Sequence, residues 1–511
     1  MSTDPLRTTC RPFASLLTGI LIVLTVGVTS GAEAGKVELR DDGVMLLDGR
    51  AQLVYGAFRD PSDDRQDFAG LESAGFNLTH SYYFENFKVD SSDAADRWIR
   101  EARQYLRDAE AAGVGVFMGF PRNLVFAGDT QTIQQLVEAI KDEPALWFWY
   151  TLDEPLLQMK KFTAGSWHET LTQIYEAIRQ RDTDHPVVVV DSGRRLAEAT
   201  PQEVQAHGGL CDAIWIDTYQ VPYSVLRVGR DVALIRQMLP GLTVWAVPEG
   251  GAQFPFTQWH LHQNKRKANP QHEAGWFYPK PRFDDRLAEL EFTPDAIAAQ
   301  FFGSWIAGAR GAVFYWPPKW SQDIQNHTPK IWQAYLDLGQ TIDELGPMLL
   351  EAQPTDALRV AHDHWGYLLR QDNLLPESLN IDRQQMRQAS TALHWAGTYD
   401  GAYWVVVAVD YAPVQGFQIN LPSAFTKITQ YPGGHVIATA KSNHETDIDW
   451  DRVVGYIRKV REDHRSLQVL LGELDVLIWR IDTQDGVTRG QVDPAAPPHT
   501  EDLEATDANE L

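Results

Sequence analysis

The chain has 511 residues, 44% of them hydrophobic and 22% charged, which is enough for two domains with buried cores. Its formal net charge of −24 excludes a phosphate-contacting nucleic-acid binder, which needs clustered Lys and Arg, and favours a neutral or locally recognised ligand. The 17 Trp are numerous; core filling accounts for most of them, with broad apolar faces for stacking as the alternative use.

Residues 1–34 read as a signal peptide: Arg7 and Arg11 precede the apolar run FASLLTGILIVLTVGV, and the small residues that follow end in Ala32-Glu33-Ala34, a cleavage pattern. An uncleaved anchor is the competing reading, because the run with its flanks approaches the ~18 residues needed to span a bilayer. Cleavage implies a secreted or periplasmic protein with no stable membrane insertion. It also removes Cys10, leaving Cys211 without an intramolecular disulfide partner.

From about 50 to 320, β-branched or aromatic runs alternate with helix-period segments, the pattern of βα units on a parallel sheet. The runs are LVYGAF (53–58), NLTHSYYF (77–84), GVGVFMGF (113–120), ALWFWYTL (145–152), PVVVVD (186–191), AIWIDTY (213–219), TVWAVP (243–248) and GAVFYW (311–316). The clearest helix is 93–113, where Trp98, Ala102, Leu106 and Ala109 recur at helical spacing and Gly113 supplies a stop. Others are expected at 132–141, 168–180, 223–239, 294–309 and 330–349. This count predicts an α/β fold, a (β/α)8 TIM barrel over 35–352, with an open doubly wound sheet as the alternative. After about 355 the strands lose their helices: 391–411 is two alternating runs around the turn signal Asp400-Gly401, and a small C-terminal β-sandwich is expected over 353–482. Residues 483–511, with seven acidic residues against one Arg, are expected to be a disordered, solvated tail.

The tripeptide Asp-Glu-Pro occurs at 142–144 and again at 153–155, on either side of the fourth run. In a barrel the active site lies at the C-terminal ends of the strands. Eight residues at ~3.3 Å each separate the two glutamates by roughly 26 Å, so Glu143 belongs to the bottom rim and Glu154 to the mouth. The seventh run delivers a second carboxylate, Glu249, followed by two glycines that let the backbone turn closely. Paired carboxylates serve glycoside hydrolysis, one protonating the leaving oxygen while the other attacks the anomeric carbon or activates water. A gap of about 5–5.5 Å gives retention, and about 6.5–9.5 Å gives inversion.

WFWYTLDEP and VWAVPEG resemble the strand-four and strand-seven segments of glycoside hydrolase clan A, the retaining barrel glycosidases that include many cellulases and β-galactosidases. The resemblance implies Glu154 as acid/base and Glu249 as nucleophile. It also implies Tyr219 as the hydroxyl beside the nucleophile and Trp316 as the floor beneath the sugar. One departure is Asp153, where most members carry Asn. An ionised Asp only accepts hydrogen bonds, which changes the usual contact to the sugar 2-hydroxyl, and its charge raises the proton affinity of Glu154.

Other strand-end residues are candidates for lining the sugar site, each with a rim salt bridge or satisfied core group as the alternative: Arg59 and Asp60, His80, and Asp191. Asp217 shares the face of Tyr219 by the period-two rule and is read as a supporting group. The segment 250–292 is too long for a simple connection, and its aromatic residues point to a substrate-binding flap. Its cluster Lys265, Arg266, Lys267, Lys280 and Arg282 is read first as a solvated crest, and otherwise as a contact for uronic acid or sulfate groups. Asn77-Leu78-Thr79 matches a glycosylation sequon but falls in a predicted barrel strand.

The expectation is a retaining glycosidase acting on a poly- or oligosaccharide, with no cofactor and no metal. Two alternatives stay open: a catalytically inactive carbohydrate-binding protein on the same scaffold, and a barrel enzyme holding a divalent metal through Glu154, Asp191, Asp217 and Glu249.

Overall fold

The computed structural model describes residues 35–59, 68–219, 224–250, 294–315, 329–358, 360–361, 392–410, 414–420, 425–440, 446–448, 456–460, 466–471, 476–484 and 486–487. Residues 1–34, read above as a signal peptide, Asp60, residues 251–293 of the expected flap, Trp316, Asp485 and residues 488–511 lie outside the described residues; of the tail expected over 483–511, Thr483 instead ends a strand and the Val487 N–H donates to the Gly401 carbonyl at 2.9 Å. The Arg59 backbone ends a strand opposite Ser81.

Eight parallel strands close into a barrel: β1 (Val54–Arg59), β2 (Leu78–Ser81), β3 (Gly115–Gly119), β4 (Leu146–Asp153), β5 (Val187–Ser192), β6 (Ala213–Thr218), β7 (Thr243–Pro248) and β8 (Gly311–Phe314). The chain therefore has the predicted TIM-barrel fold. The principal helices after each strand are α1 (Phe68–Ser73), α2 (Ser92–Ala111), α3 (Thr130–Ile140), α4 (Trp167–Arg179), α5 (Gly193–Glu198), α6 (Arg227–Met238), α7 (Pro294–Ile306) and α8 (Pro329–Glu351). In α2 the Ser91 hydroxyl caps the Ala94 N–H at 3.2 Å, and Trp98, Ala102, Leu106 and Ala109 are fully buried, as their spacing predicts. No helix among the described residues is long and apolar enough to cross a membrane.

Strand alternation sorts side chains between two cores. Trp245 and Val247 of β7 face the barrel interior with Phe117, Phe148 and Trp215, while Val244 and Ala246 face the helices. Trp215 and Trp245 stack at 5.4 Å and 17°, so core filling is indeed the use of these tryptophans. Residues 37–52 form a three-stranded antiparallel sheet that the sequence did not announce. It plugs the N-terminal end of the barrel: Val37 and Met45 join the interior core, and the Trp245 indole donates to the Gly43 carbonyl at 2.9 Å.

The second run also departs from expectation. Its strand stops at Ser81, and Tyr82–Asn86 form a helical turn whose Tyr83 N–H is capped by the Ser81 hydroxyl at 3.4 Å. That turn brings Tyr82 and Glu85 back over the barrel mouth.

After α8 the chain builds a seven-stranded and a four-stranded antiparallel sheet, the predicted C-terminal sandwich. Ile419 of the smaller sheet packs with Val405, Val407 and Trp479 of the larger. Asp400 and Gly401 form the hairpin turn with φ of 48° and 68°. The larger sheet rests on α7, where Trp305 meets Trp395 at 4.8 Å and 69°. It also reaches the loop after β6: the Asp410 carboxylate, 3% exposed, accepts the Val225 N–H at 3.0 Å and the Ser224 hydroxyl at 2.5 Å.

Candidate active site

The C-terminal end of β4 is irregular. Between Tyr150 opposite Val188 and Asp153 opposite Val190, β4 advances three residues against two on β5, a bulge of the kind that re-aims side chains at barrel rims. Glu154 follows in the left-handed region, at φ 44° and ψ 63°. For a non-glycine residue this conformation costs about 1–3 kcal/mol. Proline at 155 disfavours the right-handed alternative, and the Glu154 N–H is pinned to the Val190 carbonyl at 2.8 Å. The two neighbouring carboxylates then meet different surroundings: Asp153 interacts with Tyr82, Tyr150, Glu85 and Arg122, and Glu154 with Asp191, Asp217 and Arg195 as well as with Asp153 itself.

Asp153 accepts the Tyr82 hydroxyl at 3.2 Å, and its main-chain carbonyl accepts the Gln158 amide. Behind Tyr82 lies a buried ionic chain. His80 Nε2 is 2.5 Å from Glu85 Oε1, and Arg122 donates to Glu85 Oε2 through Nε at 3.2 Å and Nη2 at 3.1 Å. Gly119 makes room for it, since a Cβ there would stand 2.5 Å from Glu85 Cγ. His80 was expected to contact sugar; it is instead 0% exposed, its ring stacked on Phe117 at 4.7 Å, because the helical turn after β2 closes over it. Its role is to hold Glu85. Burial, against the opposing Glu85 carboxylate and with Arg122 adding to it, lowers the His80 pKa from its usual value.

Asp191 also departs from expectation. It lies on the outer face of β5 with 0% exposure, and its carboxylate is taken up by His207 Nε2 at 3.0 Å and the Ser192 N–H at 2.8 Å. It contributes charge behind the site and offers no surface to a ligand. Asp217, on the inner face of β6, is 5% exposed and opposite Ser192 and Val247 in register. The Tyr219 hydroxyl hydrogen-bonds it, and the Tyr219 ring stacks on Tyr315 at 4.9 Å.

These carboxyl groups raise one another's proton affinity. Burial first, then Glu85, pushes Asp153 up to about 6, against the opposing Tyr150, Arg122 and Tyr82. Burial, then Asp153 and Asp191, pushes Glu154 up to about 7. Burial, then Glu154, Asp153 and Asp191, holds Asp217 well above the usual carboxylate range.

At the end of β7 Glu249 is 3% exposed, bridged in parallel to Tyr315. Its N–H donates to Gln300 Oε1 at 3.1 Å, and Gln300 Nε2 donates to its carbonyl at 3.0 Å. The Gly250 N–H donates to the Tyr315 carbonyl at 2.7 Å, and the Tyr335 hydroxyl donates to the Gly250 carbonyl. Glycine is required there, because a Cβ would lie 2.4 Å from the Tyr315 carbonyl oxygen.

Among the described residues no three His, Cys, Asp or Glu side chains converge in a group that could hold a metal ion. Sequence reasoning missed Glu85, Arg122, Gln300 and Tyr335. Arg122, three residues past the end of β3, was within reach of a scan of strand ends; Glu85, in the helical turn after β2, and Gln300 and Tyr335, inside α7 and α8, carried no such signal.

No family model and no curated protein sequence matches the chain. Among solved structures, a glycoside hydrolase family 5 protein from Bacteroides vulgatus aligns with TM-score 0.49 and 12% identity over 89% of this chain and 95% of that one. A β-galactosidase from Bacillus circulans sp. alkalophilus aligns with TM-score 0.41 and 10% identity over 59% of this chain and 57% of that one. A β-D-glucuronidase from Dictyoglomus thermophilum aligns with TM-score 0.34 and 13% identity over 55% and 46%, so this chain spans about half the length of the latter two. The fold assignment rests on the closed parallel barrel of the chain itself, which carries glutamates at the ends of β4 and β7 as the resemblance to clan A implies.

Proposed function

We propose that the chain is a retaining glycoside hydrolase that cleaves O-glycosidic bonds of a poly- or oligosaccharide by double displacement. Glu249 attacks the anomeric carbon as its bond to the leaving oxygen breaks, and Glu154 gives that oxygen its proton. Glu154 then takes a proton from water, whose oxygen displaces Glu249 from the sugar. The observation that carries this reading is the Glu154 carboxyl, half-buried at the barrel mouth with its pKa raised to about 7, which keeps a proton available near neutrality. Asp153, Tyr219 and Trp316 are assigned to sugar contact, Asp153 accepting from a substrate hydroxyl on the side away from Tyr82. The chemistry needs no cofactor. Residues 1–34 are assigned to export to the periplasm or outside the cell, which N-terminal sequencing of the mature protein checks.

The test is intact-mass analysis after incubation with activated 2-fluoro glycosides of several sugars. A covalent sugar adduct that maps to Glu249 and vanishes in Glu249→Ala supports the reading and names the sugar. Sugar binding without an adduct across a broad panel supports the binding-protein alternative.

A further inference from the structure

The main chain at the end of β7 is held more completely than its strand requires. Against β6 the ladder ends at Pro248 opposite Thr218, and against β8 it runs one step further, to the parallel bridge between Glu249 and Tyr315. Beyond Pro248, all four polar main-chain atoms of Glu249 and Gly250 have partners from other elements. Gln300, on α7 and 1% exposed, serves both atoms of Glu249; the Tyr315 carbonyl, following β8, and Tyr335, on α8 and 1% exposed, serve those of Gly250. A primary amide is the side chain suited to this, since it donates and accepts from one planar group. Tyr335 is itself fixed, ringed by Phe76 and Phe314 at 5.4 Å each and with its main-chain carbonyl accepting the Tyr55 hydroxyl at 3.2 Å.

Burial of Glu249 and Gly250 already requires these main-chain atoms to be paired, but not that one amide on an outer helix should serve both atoms of a single residue. A nucleophile does call for it. Attack requires the carboxylate oxygen within a few tenths of an ångström of its productive place, and a misplacement of about 1 Å can cost about 100-fold in rate. A side chain at a loop start is only as well placed as the main chain that bears it.

We propose that Gln300 is a positioning residue for Glu249, fixing the nucleophile through its own N–H and C=O, and that Tyr335 completes the same cradle through Gly250. This rests on the glycosidase reading and extends it to the outer helix layer, which touches no substrate.

The experiment measures the rate of covalent labelling of Glu249 by an activated 2-fluoro glycoside that labels the wild type, together with kcat and KM on a matched aryl glycoside. The proteins are wild type, Gln300→Met, Gln300→Glu and Tyr335→Phe, all assayed well below their measured Tm. Gln300→Met keeps the volume and loses both hydrogen bonds. It should slow labelling and kcat about 100-fold while KM changes less than about threefold. Gln300→Glu keeps the acceptor for the Glu249 N–H and should recover part of the labelling rate. Tyr335→Phe removes a single hydroxyl and should slow labelling about tenfold. Wild-type labelling rates in folded Gln300→Met, or in Tyr335→Phe if Gln300→Met does not fold, overturn the proposal. A wild type that turns over substrate but is labelled elsewhere overturns the nucleophile assignment instead, and the positioning role with it.

Discussion

Glu154 and Glu249 stand at the ends of β4 and β7, and the protein holds them by different means. At β4 the backbone is bulged and left-handed, the side chain is half-buried, and the charges of Asp153 and Asp191 raise its proton affinity. At β7 the strand is regular to its end, the side chain is buried, and the atoms that are gripped belong to the main chain. One end controls a proton affinity; the other controls a place. That division matches the proposed chemistry, because a general acid works through its pKa and a nucleophile through its approach.

The comparison is sharpened most by Glu154→Gln, which removes the acid and leaves the shape. Cleavage of glycosides with poor leaving groups should fall by about 10²–10⁴-fold in steady-state kinetics, and that of activated aryl glycosides far less. Equal losses on both would break the division. Next comes the other end, where volume should matter more than charge. Gly250→Ala forces a Cβ against the Tyr315 carbonyl and should lower kcat by about 100-fold on either class of glycoside.

A smaller effect is expected in the pH profile. The acid form of Glu154 must be present, so kcat/KM should fall as pH rises through about 7. Asp153→Asn removes the negative charge that ranks after burial among the causes of this shift, so the falling limb should move to lower pH. An unmoved limb would mean that Glu154 is not the titrating acid. The smallest effect belongs to the first Asp-Glu-Pro. Glu143 is 15% exposed at the bottom rim, 3.5 Å from each of Arg103 and Arg107. Glu143→Ala should leave kcat unchanged and shift the urea-unfolding free energy by only about 0–1 kcal/mol.

The barrel was legible because its strands are long apolar runs with a period the chain repeats; β7 occupies the residues its run predicts, 243–248. The plug at 37–52 was not, since strands of three residues are too short to show alternation. The two catalytic candidates were legible from strand ends alone. His80 and Asp191 were misplaced for separate reasons. A helical turn invisible in NLTHSYYF buried the first, and Asp191 falls on the outward phase of β5 with His207 across from it. Gln300 could not be read at all, because a glutamine in a helix looks like surface until its partner is known.

Asp410 gives the sheets a consequence for how the molecule folds. Its carboxylate is the acceptor for the Val225 N–H, so a chain ending after α8 would strand that buried donor and bare the Trp305 side of α7. A barrel without the sheets should therefore be less stable than the whole chain. Both domains should melt in one cooperative transition, and a barrel expressed alone should melt at a lower temperature.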